Sequence, residues 1–334
     1  MTKTINLASR IEKQLPAELV RFMQAAGEIA SSREHNLYLV GGVVRDLLLG
    51  RTNFDLDLVV EDDAISLASR LAQIYPGKIT THPRFNTAKL QWDNWSVDLA
   101  SARSETYAKP GALPSVKPGT LKSDLFRRDF TINTMAIHLI PSRHGELIDL
   151  YGGLHDLEQK LIRILHEKSF IDDATRIWRG LRYELRLNFQ LEETTLKLLK
   201  RDIPMLDNIS SDRIRHELEL VLKEEFPEKV LRRAEQLGVL QWLQPSLKGD
   251  DWLAGRFEQA RQLSSPTPPP TGLYLALLAY RLTNTETEQL IAKLRLPKSL
   301  GQTLRDTSSI KGKLKSLRTL RRKKRRGVVP NVWK

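Results

Sequence analysis

The sequence predicts an α+β protein: a mixed head of about 150 residues, then an all-helical remainder. Three observations carry that expectation. Short β-prone runs crowd into the first half, among them Leu37–Val40 and the alternating acid/apolar stretch FDLDLVV at Phe54–Val60. After residue 150 or so, strand signals give way to long 3.6-residue patterns. The chain of 334 residues, 40% apolar and 28% charged, is longer than one hydrophobic core usually organises.

The elements follow in order. Leu7, Ile11, Leu15, Leu19 and Phe22 recur at helical spacing with a break at Pro16, which predicts helices through the first 36 residues. Leu37–Val40 is a strand ended by Gly41-Gly42, and Val43–Leu49 a helix stopped by Gly50. Further strands are expected at Ala88–Trp92 and Ser96–Ala100. Thr106–Gly119, with three prolines and two glycines, reads as a loop. Helices are then expected over Ala174–Leu187, Glu192–Lys200, Ser211–Lys223 and Pro227–Leu237. Ser264–Pro270 is a linker by composition, followed by helices over Thr271–Leu282 and Thr285–Leu296. No internal repeat is evident.

Composition excludes several classes. No apolar run reaches the roughly 18–20 residues of a membrane span, and the N-terminus lacks a secretory apolar core, so a cytoplasmic protein without a membrane partner is expected. Cysteine is absent, which rules out disulfides, thiolate metal sites and a cysteine nucleophile. The net charge is +13, and Lys311–Arg326 holds ten basic residues without an acid. That concentration suits an element meeting a polyanion, although a disordered solubilising tail has the same composition.

Chemistry gathers in the head. Gly41-Gly42 ends a strand and opens a helix bearing Arg45 in its first turn, where backbone N–H groups and a guanidinium suit phosphate. A tight turn alone would explain the glycines equally well. Asp55 and Asp57 stand at i and i+2 of a strand, so both carboxylates share a face. Crowded like charges are costly without a cation between them, and hard oxygen ligands suit Mg²⁺ that is also bound by substrate phosphates. Asp98 adds a third carboxylate on another apolar strand. Together these features suit nucleotidyl transfer assisted by two metal ions, one activating a 3′-hydroxyl and one steadying the departing pyrophosphate.

The segments LVGGVVRDLLLG, DLDLVV, VDLASARSETY, RRDFTINTMAI and IDLYGGLHDL resemble the head of the class II tRNA nucleotidyltransferases. That family includes CCA-adding enzymes, enzymes adding only CC or only A, and bacterial poly(A) polymerases, all within the DNA polymerase β superfamily. The resemblance runs from about Leu37 to about Glu224. It implies a line of domains: a helical extension over 1–36, a catalytic head over 37–150, a neck over 151–226, a helical body over 227–310 and a basic tail over 311–334 that contacts RNA. It further implies that Gly42 and Arg45 contact phosphate, that Asp55 and Asp57 bind the metals, and that Asp98 is the third acid. Arg128 matches the nucleotide-contacting arginine of its motif, with Arg127 as a neighbour. IDDATRIWRGLR matches the segment that reads the incoming base, so Asp173 and Arg176 are expected at the Watson–Crick edge, with Arg179 and Arg182 further along the same helical surface.

Such a pair would discriminate in a simple way. Cytosine and adenine present an exocyclic amino donor beside a ring-nitrogen acceptor, matching a carboxylate and a guanidinium. Uracil and guanine present the opposite pattern. The resemblance therefore implies CCA addition to the 3′ end of tRNA from CTP and ATP with Mg²⁺. A-only or CC-only addition and poly(A) synthesis are alternatives within the family, and a catalytically silent RNA-binding module is the alternative outside it. Asp172, Asp212 and Asp62 depart from the family pattern, which favours glutamate at the first two positions and often glycine at the third. His155-Asp156 spells a phosphohydrolase metal dyad, but nothing in the chain completes that set. Trp178 lies at an apolar helical position and is expected in the core.

Overall fold

The computed structural model describes residues 5–325, with side chains as far as Lys313. They fold as two compact units, one reaching to Asp172 and taking in Asn188–Leu196, the other made of Asp173–Leu187 and the chain from Lys197 on.

The first unit begins with α1 (Ala8–Gln14) and α2 (Ala17–Ser31), separated at Pro16 as the sequence predicts. Then come β1 (Leu37–Val40), α3 (Gly42–Leu48), β2 (Leu56–Val60), α4 (Ala64–Ile74), β3 (Lys78–His82), β4 (Thr87–Trp92) and β5 (Trp95–Ser101). Next are β6 (Arg103–Thr106), β7 (Ser115–Pro118), α5 (Leu121–Phe126), β8 (Met135–His138), β9 (Leu147–Asp149), α6 (Gly153–Glu158), β10 (Leu161–Ile162) and α7 (Ser169–Asp172). A seven-stranded sheet runs in the order β3-β4-β5-β2-β1-β8-β9. Its neighbours pair antiparallel except β2 and β5, which are parallel.

That exception decides the site. Along β2 and β5, Leu56, Leu58, Val97 and Leu99 are fully buried on one face, while Asp57, Val59, Asp98 and Ala100 alternate onto the other. On the second face α5 seals an apolar cluster of Val59, Tyr38, Val40, Leu121, Leu125 and Ala136. The first face is covered by α2 and α4. There Phe22 stacks on Trp92 at 4.6 Å, with Tyr75 tilted against both. The N-terminal helices are thus core members of this unit and not a separate extension. Arg10 of α1 also donates to the carbonyls of Leu47 and Leu48 at the end of α3, where a cation suits the exposed C-terminal carbonyls.

The stretch expected as a loop over Thr106–Gly119 is partly a hairpin, because Ser115–Pro118 pairs with Arg103–Thr106. Pro118 lies at the strand's end, where its missing N–H costs no ladder bond. Five strands before residue 150 escaped the sequence reading: β3 is a sheet edge, β6 and β7 form a two-strand ribbon, and β8 and β9 have only four and three residues, too few to display a period. β10 also pairs in parallel with β11 (Gln190–Leu191) over two residues, beyond residue 150, where the sequence shows no strand signal.

The second unit is helical. It contains α8 (Thr175–Leu187), most of α9 (Glu193–Asp202), α10 (Ser211–Leu222), α11 (Pro227–Gln236), α12 (Val239–Leu243) and α13 (Asp251–Ser264). α14 (Thr271–Ala279), α15 (Asn284–Leu294) and α16 (Lys298–Arg325) follow. Trp178 is fully buried, as expected, and Phe257 packs on Tyr274 at 4.3 Å. Residues 265–270 connect α13 to α14, as the linker reading expects, and the contact places both helices in one core. The expected boundary between body and tail at 310/311 is absent, since α16 runs through it. Lys311 is tied back to the carbonyls of Tyr280 and Leu282. Side chains of the basic stretch beyond Lys313 lie outside the described residues.

One packing contact tests the place of α2. A Cβ built on Gly27 would lie 2.1 Å from the Leu139 carbonyl oxygen, so the helix approaches the sheet as closely as glycine allows. Gly27→Ala should lower the unfolding free energy by about 1–3 kcal/mol, measured by denaturant titration.

Candidate active site

The parallel register sets Asp57 directly beside Asp98, and Asp55 immediately precedes β2. All three are near enough to interact electrostatically. Burial pushes the half-buried Asp57 carboxyl up to about 6, against the pull of Arg128, with Asp55 and Asp98 adding to the rise. Asp98 is held by Lys89 at 2.9 Å across the β4–β5 ladder, and both side chains are 42% exposed. An ion pair so exposed is worth little and would yield readily to a stronger cation. Lys89 is a site residue that sequence reading missed; its signal lies only in the antiparallel register.

Does this donor set suit a divalent cation? Among the described residues no group of three or more His, Asp or Glu side chains is gathered closely enough to cage an ion. Mg²⁺ does not require one: it binds through one or two carboxylates plus substrate phosphates. Asp55 and Asp57 offer hard oxygens on one face, and each adds to the cost of the other's charge, which a cation would offset. The residues fit the ion.

Beside Asp57 lies the turn at Gly41. Its φ is +78° and ψ −140°, a conformation open in practice to glycine alone. A Cβ there would come within 2.9 Å of Arg128 Nη1 and 3.5 Å of Asp57 Oδ2, so the glycine keeps the space between arginine and carboxylate clear. Gly42 opens α3 and faces the side chains of Arg45 and Asn53, whose nearest atoms lie 3.5 and 3.7 Å from a Cβ built on it.

Arg45 is not displayed at the surface. It is buried, with Nε and Nη2 donating to the Asp46 carboxylate at 2.9 Å each and Nη1 to Asn133 Oδ1 at 2.7 Å. Asp46 also accepts from Asn53 Nδ2 at 2.7 Å, and Asn53 Oδ1 takes the Asp55 backbone N–H at 2.9 Å. On the other side Asn133 donates to Asp129 at 2.9 Å. This network joins α3, the approach to β2 and the RRDF segment. None of Asp46, Asn53 or Asn133 stood out in the sequence, because a polar network leaves no periodic signature.

The two adjacent arginines are used differently. Arg127 pairs with Asp124 and Glu105, whereas Arg128 makes one bond, to Asp124 at 3.1 Å, and reaches toward Gly41 and Asp57. Glu61, Asp62 and Asp63 do not extend the acidic face. Glu61 accepts from the Leu121 N–H, Asp62 pairs with His35, and Asp63 caps α4. Asp156 is buried against Thr131 and Arg163, in keeping with the dismissal of a phosphohydrolase dyad.

In the second unit, Asp173 stands just before α8. Its Oδ1 accepts from the Thr175 N–H at 3.1 Å and hydroxyl at 2.7 Å, while Oδ2 accepts from Arg213 of α10 at 2.7 Å. A carboxylate has about four acceptor positions, so one is left for a further donor. Arg176 is buried near the start of α8. Arg179 lies 4.0 Å from Glu217 and Arg182 3.4 Å from Glu224, and both approach the Tyr183 ring. Arg179 and Arg182 therefore tie α8 to its surroundings. Arg213, one residue from the noted Asp212, is the neighbour the sequence did not single out. Asp212 itself pairs with Arg215 on the surface.

The Gly41 turn gives a direct stability test. Gly41→Ala should cost about 1–3 kcal/mol through backbone strain alone, read from the unfolding midpoint.

Residues 37–163 match the family described as the poly A polymerase head domain, and residues 188–250 match a probable RNA- and SrmB-binding site of polymerase A. The chain is 43% identical over 245 residues to an A-adding tRNA nucleotidyltransferase of Halalkalibacterium halodurans, a match covering 71% of this chain and 57% of the relative. It is 42% identical over 240 residues to the A-adding tRNA nucleotidyltransferase of Geobacter sulfurreducens, covering 71% of this chain and 27% of that one. The chain thus spans only part of the length of these relatives. The Thermotoga maritima CCA-adding enzyme, solved in complex with tRNA, is similar with a TM-score of 0.79 and 31% identity over 98% of this chain and 77% of that one. On these grounds the chain belongs to the family of tRNA nucleotidyltransferases and poly(A) polymerases.

Proposed function

We propose that this protein transfers a nucleoside monophosphate from ATP to the 3′ end of tRNA, completing a CC-ending acceptor with the terminal A. The observation that carries the chemistry is the grouping of Asp55, Asp57 and Asp98 on one sheet face, with Arg128 and a Cβ-free turn beside them. The relatives named as A-adding, at 42–43% identity, favour adenosine. Complete CCA addition, using CTP as well, is the second reading. It is supported by the likeness to a CCA-adding enzyme over 98% of the chain.

In this reading Asp55 and Asp57 would hold Mg²⁺, which supplies Lewis acidity and charge neutralisation at the reacting phosphate. Arg128 faces the triphosphate. Asp98, released from Lys89, accepts the hydrogen bond of the RNA 3′-hydroxyl, orients it and takes up its proton. The 3′-oxygen bonds to the α-phosphorus as the bond from that phosphorus to the bridging oxygen breaks, and pyrophosphate leaves. Arg45 sits beneath the turn and holds the platform through Asp46 and Asn53. Asp173, kept in place by Arg213 and Thr175, accepts from the exocyclic amino group of the base while Arg176 donates to its ring nitrogen. Arg127 supports Arg128 within the head, and Arg179 and Arg182 support Asp173 and Arg176 on their own helix.

Three tRNA transcripts, ending before CCA, in C or in CC, should be given ATP, CTP or both with Mg²⁺ and the products sized. One A added to the CC end alone supports the proposal. Growth from the bare end to CCA establishes the second reading, a long A ladder a poly(A) polymerase, and no incorporation a binding module. Asp55→Ala should reduce incorporation by roughly a thousandfold or more, equivalent to several kcal/mol of charge stabilisation, while tRNA affinity by filter binding stays near wild type. Chelation by EDTA should have the same effect and be reversed by added Mg²⁺. Arg213→Ala should raise misincorporation of UTP or GTP relative to ATP by roughly tenfold, the worth of one charge-assisted hydrogen bond, because Asp173 loses the donor that fixes its Oδ2.

A further inference from the structure

We infer that Asp124 is a positioning residue that aims Arg128 at the nucleotide, and that Arg127 occupies the other oxygen of the same carboxylate instead of touching substrate. The inference rests on the reading of Arg128 as a triphosphate contact. Asp124, Arg127 and Arg128 stand at i, i+3 and i+4 at the end of α5, so both guanidiniums reach one carboxylate. Asp124 is fully buried. Its Oδ1 accepts from Arg127 Nε at 2.9 Å and Nη2 at 2.8 Å, and its Oδ2 accepts from Arg128 Nη2 at 3.1 Å.

What remains of each arginine differs. The third nitrogen of Arg127, Nη1, donates to Glu105 Oε1 at 3.2 Å. Glu105 also accepts from Arg103 at 3.0 and 3.1 Å and from the Tyr107 hydroxyl at 3.0 Å. Arg127 is thereby bonded through all three nitrogens inside the head. Arg128 has the opposite character. Its Nε is buried without a hydrogen-bond partner, and its Nη1 is the atom a Cβ on Gly41 would meet at 2.9 Å. A buried N–H left unpaired is costly, a cost relieved when an anionic oxygen enters beside it. One bond to Asp124 fixes the guanidinium plane without consuming the donors that face the turn. Were Arg127 absent, Asp124 could offer both oxygens to Arg128 and turn it away from the site.

Burial pushes the Asp124 carboxyl up, but the two arginines together hold it below its ordinary range. The carboxylate therefore stays charged, and one buried negative charge keeps two adjacent positive ones from repelling.

The test is a double-variant cycle in the full chain with ATP, Mg²⁺ and a CC-ending tRNA. Asp124→Asn should raise KM for ATP by roughly 10- to 100-fold, the loss of one charge-assisted bond, and leave KM for tRNA unchanged. In an Arg128→Ala background the same substitution should change KM for ATP by less than about twofold, because it acts only through Arg128. Should Asp124→Asn not fold, as judged by circular dichroism, Asp124→Glu keeps the charge and moves it by one methylene, and the same pattern is expected. An unchanged KM for ATP in either Asp124 variant, with Arg128→Ala raising it, overturns the inference; so do losses that multiply in full in the double variant. If Arg128→Ala alone leaves KM for ATP unchanged, the triphosphate reading itself fails, and Asp124 has nothing to aim.

Discussion

The parallel pairing of β2 with β5 is the constraint on which the rest of this molecule depends. In a sheet otherwise antiparallel, it brings Asp57 beside Asp98 while the same strands bury Leu56, Leu58, Val97 and Leu99 on the far side. The apolar face locks the register, because a slip of one residue would turn the leucines outward and the acids inward. Hydrophobic burial thus holds carboxylates together that would separate if free. The strain appears in the Asp57 carboxyl, pushed up to about 6 chiefly by burial. Such crowding is stable only beside cations, and the structure supplies Arg128 on one side and the Lys89–Asp98 pair on the other.

Polar groups within each unit are of two kinds. Some keep unused donors or acceptors: in the first unit Arg128 has Nε and Nη1, and in the second Asp173 has one acceptor position. Others are saturated. Arg45 is bonded to Asp46 and Asn133, Arg127 to Asp124 and Glu105. Saturated buried networks fix geometry, since each member would lose a bond by moving. The Asp46–Asn53–Asp55 connection shows the benefit, because it sets the backbone just ahead of β2.

Much of this was legible beforehand. The acids on β2, the glycine turn, the paired arginines and the order of helices in the second unit all follow local rules of period, composition and motif. The individual jobs of the arginines were not. Gly42 and Arg45 read as phosphate contacts and Arg128 as a nucleotide contact with Arg127 as its neighbour, yet Arg45 is bonded to Asp46 and Asn133, and Arg127 is paired with Asp124 and Glu105. Lys89, Asn53 and Arg213 were silent for the same reason: each matters through a partner on another element. The loop reading of Thr106–Gly119 missed a strand because proline content reports local backbone freedom, not what the flanking segments pair with.

The sequence by itself determined the α+β class, the family resemblance and the residue types that carry charge to the site, because those depend on side chains within a turn or two of one another. Only the tertiary structure decided which charges meet. Register across β2, β4 and β5 chose the partners of Asp57 and Asp98, and the packing of α10 beside α8 chose Arg213 for Asp173. Coulomb energy and hydrogen bonding fall off over a few ångströms, so the function of a charged residue is set by its neighbours in space, which local sequence does not specify.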